Sequence, residues 1–331
     1  MKLGIIREGK TPPDKRVPLS PQQCRELLQA YPGLELVVQP SPIRCFPDAD
    51  YQAEGIAMQE DLSDCQVLMG VKEVNVEDLI PNKTYFFFSH TFKKQPYNRK
   101  LLQAIIDKKI RLVDYEVITN ANGTRLVGFG RYAGVVGAYN GFLAWGKKTN
   151  SFQLKAAHQC FDRKEMETYL KEVKLPSNFK LVITGAGRVA GGAQEIIEAL
   201  NIEKVSPKDF VNQTYNHPVY TQLLVDDYNE RLDGKPFKRQ DFYNDPTGYR
   251  STFMQYAKHA DMYFPCHYWD ARSPYIFTRE DAKSPDFNIR VVADISCDID
   301  CAVASTLRPS TIADPLYGYH PLREEEVDFM D

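Results

Sequence analysis

Apolar runs of strand length alternate with polar, helix-patterned stretches from the start of the chain. LGII (3–6), LELVVQ (34–39), VLMGVK (67–72), TYFFFSH (84–90) and IRLVDYE (110–116) read as strands. Between them, Ser20 before Pro21 has the N-cap and N1 chemistry that starts a helix over PQQCRELLQAY. A second helix is predicted around 97–108. Strands alternating with helices predict a parallel α/β sheet. Asn122-Gly123 marks a hairpin-type turn. YAGVVGAYNGFLAWGKK (132–148) carries small and aromatic residues at helical spacing and suits a long, close-packed helix joining two domains. Residues 150–179 read as helical and polar.

A second unit starts at Lys180. The apolar run Leu181, Val182, Ile183, Thr184 enters the turn Gly185-Ala186-Gly187-Arg188-Val189-Ala190, and a helical pattern follows. This fits G-x-G-x-x-G/A in the strand–turn–helix context that a dinucleotide site requires. Gly185 permits the tight turn, Gly187 lets backbone approach a pyrophosphate, and Ala190 lets the helix pack on the strand. The helix N-terminus offers free N–H groups to the phosphates. The competing reading is a purely structural strand–helix turn. A second strand near Glu203 to Ser206 should close the first βαβ unit. Residues 207–255 are polar, aromatic and broken by prolines, and read as an insertion. DMYFPCHYW (261–269) and IRVVADISCD (289–298) read as later strands, and REEEVD (323–328) as a solvated acidic face. The expected domains are 1–135, linking helices over 136–179, and 180–331.

With 331 residues the chain exceeds one ordinary core, so about two domains are expected. The apolar fraction of 43% and charged fraction of 26% are those of a globular protein, and a net charge of −3 implies no bulk attraction to nucleic acid or an anionic membrane. The seven cysteines (24, 45, 65, 160, 266, 297 and 301) are scattered and odd in number, which argues for reduced thiols and a cytoplasmic setting. Cys297 and Cys301 lack a second ligand pair, so no metal site is expected. MKLGIIREGK has no long apolar segment of the signal-peptide kind, and no run approaches the ~18 apolar residues of a membrane span.

Three residues of the first domain lie at or near strand ends, where open α/β sheets bind ligands. Lys72 closes VLMGVK, His90 closes TYFFFSH, and Arg16 lies in the loop DKRVPLSP. A desolvated Lys and a strand-end His can act as acid and base, and an Arg can clamp a carboxylate. Each also has a plain structural reading. Lys72 can pair with Glu73 or Glu77, His90 can be a satisfied edge histidine, and Arg16 can be surface charge.

DKRVPLSP, GVKEV and FFSHTFKKQPYN, in this order before a glycine turn, resemble the N-terminal domain of alanine dehydrogenases and of the transhydrogenase nucleotide-binding subunit. YFFFSHTFKKQPYN, RLVDYEVITNANGTRLVGFGRYAGVVGA, CHYWDARSPYIFTREDA and VVADISCDID are similar, more narrowly, to the lysine-ketoglutarate reductase domain and to the L-lysine-forming saccharopine dehydrogenase. The resemblance covers nearly the whole chain. It implies two Rossmann-like doubly wound domains with the active site in the cleft between them. It also implies oxidoreductase chemistry on a CH–NH bond, interconverting saccharopine with L-lysine plus 2-oxoglutarate. Carried over by motif, Lys72 and His90 become the acid–base pair. Arg16, Lys93 and Arg125 become substrate-carboxylate contacts, and Asp294 falls near the nicotinamide. Gly185, Gly187, Arg188, Val189 and Ala190 hold the dinucleotide.

The acid expected about 20 residues beyond the first glycine is replaced by Val205 and Ser206. Glu203 and Asp209 are out of register. Ser206 or Arg188 are then candidates to contact a 2′-phosphate, which leaves NAD and NADP both open. The family normally continues beyond a segment like ADPLYGYHP with a strand and a returning helix, whereas this chain stops at Asp331. The alternatives are an alanine dehydrogenase-like enzyme on a smaller amino acid and a non-catalytic nucleotide-binding subunit. A monomer or a homodimer is expected.

Overall fold

The strands of the first unit, Met1–Gly128, stop short of the apolar runs that form them. The structure is a computed structural model that describes residues 1–331 except Cys297 and the Lys93 side chain. In chain order this unit contains β1 (Lys2–Ile5), α1 (Pro21–Ala30), β2 (Glu35–Val38), α2 (Asp48–Ala53), β3 (Ala57–Met58), β4 (Val67–Met69), β5 (Thr84–Phe87), α3 (Arg99–Asp107) and β6 (Arg111–Asp114). Ser20 starts α1 through a capping box with Gln23, as its position before Pro21 predicts. The six strands run parallel in the order β3-β2-β1-β4-β5-β6, a doubly wound sheet whose order reverses between β1 and β4. Leu68, Tyr85, Phe87, Leu101 and Ile105 fill one apolar layer; Leu3, Ile5, Leu36, Val38 and Tyr51 fill the other. Lys72 and His90 each fall three residues beyond their strands, in the loops at the carboxyl end of the sheet.

The second unit spans Phe129–Asp331. It begins with α4 (Gly130–Thr149), so the helix expected to link two domains belongs to this unit. Residues 150–179 hold only α5 (Arg163–Thr168) and single 3-10 turns, not the continuous helix their polarity suggests. Then follow β7 (Lys180–Thr184), α6 (Arg188–Ala199), β8 (Glu203–Lys204), α7 (Pro207–Asn212), β9 (Val219–Leu223), β10 (Asn229–Arg231), α8 (Arg239–Asn244), β11 (Tyr249–Ser251), α9 (Met254–Ala257), β12 (Met262–Pro265), α10 (Arg279–Lys283) and β13 (Val291–Val292). The unit ends in the hairpin β14 (Gly318–His320) and β15 (Glu325–Val327).

Its parallel sheet has the order β13-β12-β7-β9-β8. This corrects the expected βαβ closure. The strand at Glu203 exists, but β9 from the supposed insertion lies between it and β7. The physical reason is visible in the residues. Val219, Tyr220 and Leu223 are buried, whereas Glu203 and Lys204 are exposed edge residues.

Helix α4 packs backbone-to-backbone on α6. A Cβ on Gly134 would fall 1.9 Å from the Val189 carbonyl oxygen, and one on Gly192 would fall 1.9 Å from that of Arg131. Glu195 ties the same region together, bonded to Arg131 at 2.5 Å and Arg163 at 2.7 Å. The acidic tail is not simply solvated. Glu324 pairs with Arg279 and Lys283, and Glu326 with Arg308. Among the described residues no cluster of His, Cys, Asp and Glu could hold a metal, and no helix is long and apolar enough to cross a membrane.

Candidate functional site

In the first unit the ends of β4 and β5 lie side by side, and their pairing continues through Phe88 N–H to the Val71 carbonyl at 2.9 Å. This brings Lys72-Glu73 and Ser89-His90 into one cluster. Glu8, in the loop after β1, accepts hydrogen bonds from the Val71 and Lys72 backbone N–H groups at 2.7 and 2.8 Å. Burial raises the Glu8 pKa, and these two bonds oppose the rise without cancelling it. The Lys72 backbone is thereby fixed, and Glu8, Lys72 and Glu73 line a cavity at the carboxyl end of the sheet.

The Lys72 ammonium lies 5.9 Å from the centroid of the buried Phe88 ring. It has no hydrogen-bond or ion-pair partner among the described residues, so the plain reading of a Lys72 pair with Glu73 or Glu77 does not hold. Its pKa is lowered, first by burial and then by the neighbouring Arg16 charge.

Glu73 instead faces His90. Its Oε1 lies 2.5 Å from His90 Nδ1, and its Oε2 accepts from Lys10 at 2.8 Å. Burial would raise the Glu73 pKa, but the bonds from Lys10 and His90 outweigh it and the group stays ionised well below neutrality. A carboxylate on Nδ1 fixes the imidazole orientation and leaves Nε2 for a ligand. His90 has a left-handed backbone, φ 54. The buried Ser89 supports it, donating through Oγ to Asp114 at 2.5 Å, and Asn98 donates to the His90 carbonyl. Such a conformation in a bulky residue persists only where its surroundings enforce it.

Arg125 also stands over Phe88, at 5.6 Å, and bonds to the Val127 carbonyl and to Glu116. Arg16 is paired with Asp14. The Lys93 side chain lies outside the described residues. Lys72, His90 and Arg125 therefore converge on Phe88, with Arg16 close enough to act on the Lys72 charge. Glu8 and Phe88 escaped sequence reasoning, and Glu73 entered it only as a possible partner of Lys72. The only signal for Glu73 was its adjacency to Lys72, which pointed to the wrong partner.

In the second unit Gly185 has φ 96, and a Cβ there would lie 2.6 Å from the Cys266 carbonyl oxygen. Only glycine satisfies both the dihedral and the contact. Gly187 is the N-cap of α6 and faces open space. Arg188 is exposed, Val189 half-buried and Ala190 fully buried against the sheet. The turn thus offers a glycine cradle and free N–H groups of a twelve-residue helix, which fits a dinucleotide pyrophosphate. Beside it, His267 is buried, with Nδ1 2.7 Å from Thr184 Oγ1 and Nε2 without a hydrogen-bond partner among the described residues. Asp294 accepts from Ser296 and Thr306. Ser206 caps α7, bonded to Asp209, beyond the edge strand β8. It is therefore one strand further from the glycine turn than the sequence reading placed it.

Residues 4–136 match the family described as alanine dehydrogenase/PNT, N-terminal domain. Over these residues the chain is similar to that family's N-terminal domain. It is 29% identical to an α-aminoadipic semialdehyde synthase of Arabidopsis thaliana, over 99% of this chain and 35% of the relative. It is 31% identical to the mitochondrial α-aminoadipic semialdehyde synthase of Bos taurus, over 85% of this chain and 33% of the relative. An L-lysine-forming, NAD(+) saccharopine dehydrogenase of Schizosaccharomyces pombe is 24% identical, over 88% and 74%. The chain spans about a third of the length of the two synthases. A solved L-alanine dehydrogenase shares the fold, with a TM-score of 0.63 at 16% identity, covering 96% of this chain and 80% of that one.

Proposed function

We propose that this chain is a nicotinamide-dependent oxidoreductase acting on the CH–NH bond of an amino acid, and that it interconverts saccharopine with L-lysine plus 2-oxoglutarate. The observation that carries the reading is the first-unit cluster. It holds an amine of lowered pKa and a carboxylate-oriented imidazole on neighbouring strand ends, with cationic side chains around them. The names of the α-aminoadipic semialdehyde synthase and saccharopine dehydrogenase relatives support the same chemistry.

Saccharopine is a secondary amine with three carboxylates, so a site for it needs several cations. Arg16 and Arg125 fit that role, and we assign Lys93 to it from its motif. Arg16 must exchange Asp14 for a substrate carboxylate, a swap between equivalent bidentate partners. Lys72, with its proton affinity reduced, accepts a proton from the substrate ammonium and leaves a neutral amine nitrogen. His90, held through Nδ1 by Glu73, moves a proton to or from the oxygen of the water that adds to the resulting C=N bond, and later returns one to the departing lysine nitrogen. The second unit's turn at Gly185 to Ala190 holds the dinucleotide, and Asp294 stands on its nicotinamide side. A bound NAD or NADP would supply the hydride acceptor.

The test is turnover, read by reduced-nicotinamide absorbance, with saccharopine and each oxidised cofactor. Alanine and pyruvate are the controls. Lys72→Met should abolish turnover while dinucleotide affinity stays within about twofold, since the substitution removes a proton acceptor and no dinucleotide contact. Turnover with alanine alone overturns the substrate. Undiminished turnover in Lys72→Met overturns the assigned base.

A further inference from the structure

Glycines give the turn after β7 its shape and also leave it free to lose that shape. Gly185, at φ 96, is the pivot, and both of its polar groups are tied to β9. Its N–H donates to the Leu223 carbonyl at 3.0 Å, and its carbonyl accepts from the Gln222 side-chain amide at 2.9 Å. The first bond continues the β7–β9 pairing, in which Thr184 is in register with Leu223. The second depends on one side chain.

That side chain is itself held. Gln222 is half-buried near the end of β9, and its Oε1 accepts from Lys204 Nζ at 2.7 Å and from Gln194 Nε2 at 3.2 Å. Lys204 comes from β8 and Gln194 from α6. A lysine ammonium can only donate, so the amide oxygen is the atom that faces it. The Gln222 Nε2 donor is thereby turned towards Gly185. Neither an apolar side chain nor a carboxylate at this position could make that bond.

The peptide after Gly185 is trans, so its carbonyl and its N–H point in opposite directions. Holding the Gly185 carbonyl against β9 therefore points the Ala186 N–H away from β9. Ala186 is exposed, and its N–H makes no hydrogen bond among the described residues. It precedes the free N–H groups of the first turn of α6. We propose that Gln222 is a positioning residue for the dinucleotide: by clamping the Gly185 carbonyl it aims the Ala186 N–H at the pyrophosphate and adds it to the donors of the α6 N-terminus. The proposal rests on the dinucleotide reading of the Gly185 turn. Because the pyrophosphate is common to NAD and NADP, the clamp serves both alike.

The experiment is equilibrium titration of the full chain with NADH and NADPH, read by nicotinamide fluorescence, for wild type, Gln222→Leu and Gln222→Glu. Melting temperatures without ligand are measured alongside. Gln222→Leu should weaken every nucleotide that wild type binds by the same factor, roughly tenfold, the effect of one lost hydrogen bond to an anion. Gln222→Glu is the sharper variant. It keeps acceptor oxygens for Lys204 and Gln194, so the ties among β8, β9 and α6 survive and the melting temperature should hold. It lacks the donor to Gly185, so NADH should weaken at least as much as in Gln222→Leu. Wild-type affinity in Gln222→Glu overturns the assignment and leaves the dinucleotide site standing, as do unequal losses for two nucleotides that wild type binds. A loss in Gln222→Glu accompanied by a collapsed melting temperature makes Gln222 a structural tie and also overturns it. If wild type binds neither nucleotide, the dinucleotide reading falls and this assignment with it.

Discussion

Lys72 owes its reduced proton affinity first to burial and then to the Arg16 charge, with Lys10 adding to them. Arg16→Gln removes one of them. The limb of the pH profile of kcat/KM that reports the neutral Lys72 amine should then move to higher pH, besides any loss of substrate affinity. A profile that falls in height without moving would place Arg16 too far away to act on the base. His267 supports a stability test. Its pKa is pushed down from 6.5 to about 4 by burial, so the folded state resists the proton that the unfolded chain accepts. Stability from the neutral imidazole is full above about pH 6.5 and falls as the pH drops towards 4, by up to about 3 kcal/mol. His267→Gln should lose that slope in urea unfolding across this range. At this scale the sequence was informative about position: it put Lys72 and His90 at strand ends, and both lie just beyond β4 and β5. It was silent on Phe88 and did not give Glu73 its partner His90, because these contacts come from neighbouring strands, and which strand ends adjoin is a tertiary fact.

Elements were legible where their signals were local. The cap at Ser20 and the turn at Gly185 lie where residue chemistry demands them. The order of β8 and β9 was not legible. β8 has only two residues, and the choice of β9 as the inner strand depends on the burial of Val219 and Tyr220 against β7, which is a tertiary fact. The small residues of α4 were read as close packing, and the contact with α6 gives that reading a measurable form. Gly134→Ala places a methyl group where the Val189 carbonyl stands, between two helix backbones that have no rotamer to yield. It should cost about 1–3 kcal/mol or more in denaturant unfolding. Gly191→Ala is the matched control. It lies in α6, has nothing within 4 Å of the added carbon, and removes a helix-interior glycine. It should gain about 0.5–1 kcal/mol. Equal effects at the two sites would show that the glycine contact does not hold α4 on α6.

At the level of the whole molecule, the proposed function assigns different chemistry to the two units, and ligand linkage can test that assignment. A dinucleotide bound to the folded state alone raises stability by about 2.7 kcal/mol at a hundred times its dissociation constant. The saving belongs to whatever folds to make the site, which the proposed function puts at the turn from Gly185 to Ala190. Gly187 is the N-cap of α6, extended at φ −84 and ψ −170, with nothing within 4 Å of an added carbon. Aspartate is a better N-cap than glycine by a few tenths of a kcal/mol, so Gly187→Asp should melt at or slightly above the wild-type temperature without ligand. Its carboxylate would occupy the helix N-terminus that the pyrophosphate needs, so NADH should no longer raise the melting temperature. Lys72→Met should keep the full NADH-dependent rise while losing turnover. This pair of variants, read by calorimetry with and without NADH, assigns cofactor binding to one unit and proton transfer to the other. A lost shift in Lys72→Met, or a retained one in Gly187→Asp, would contradict that division.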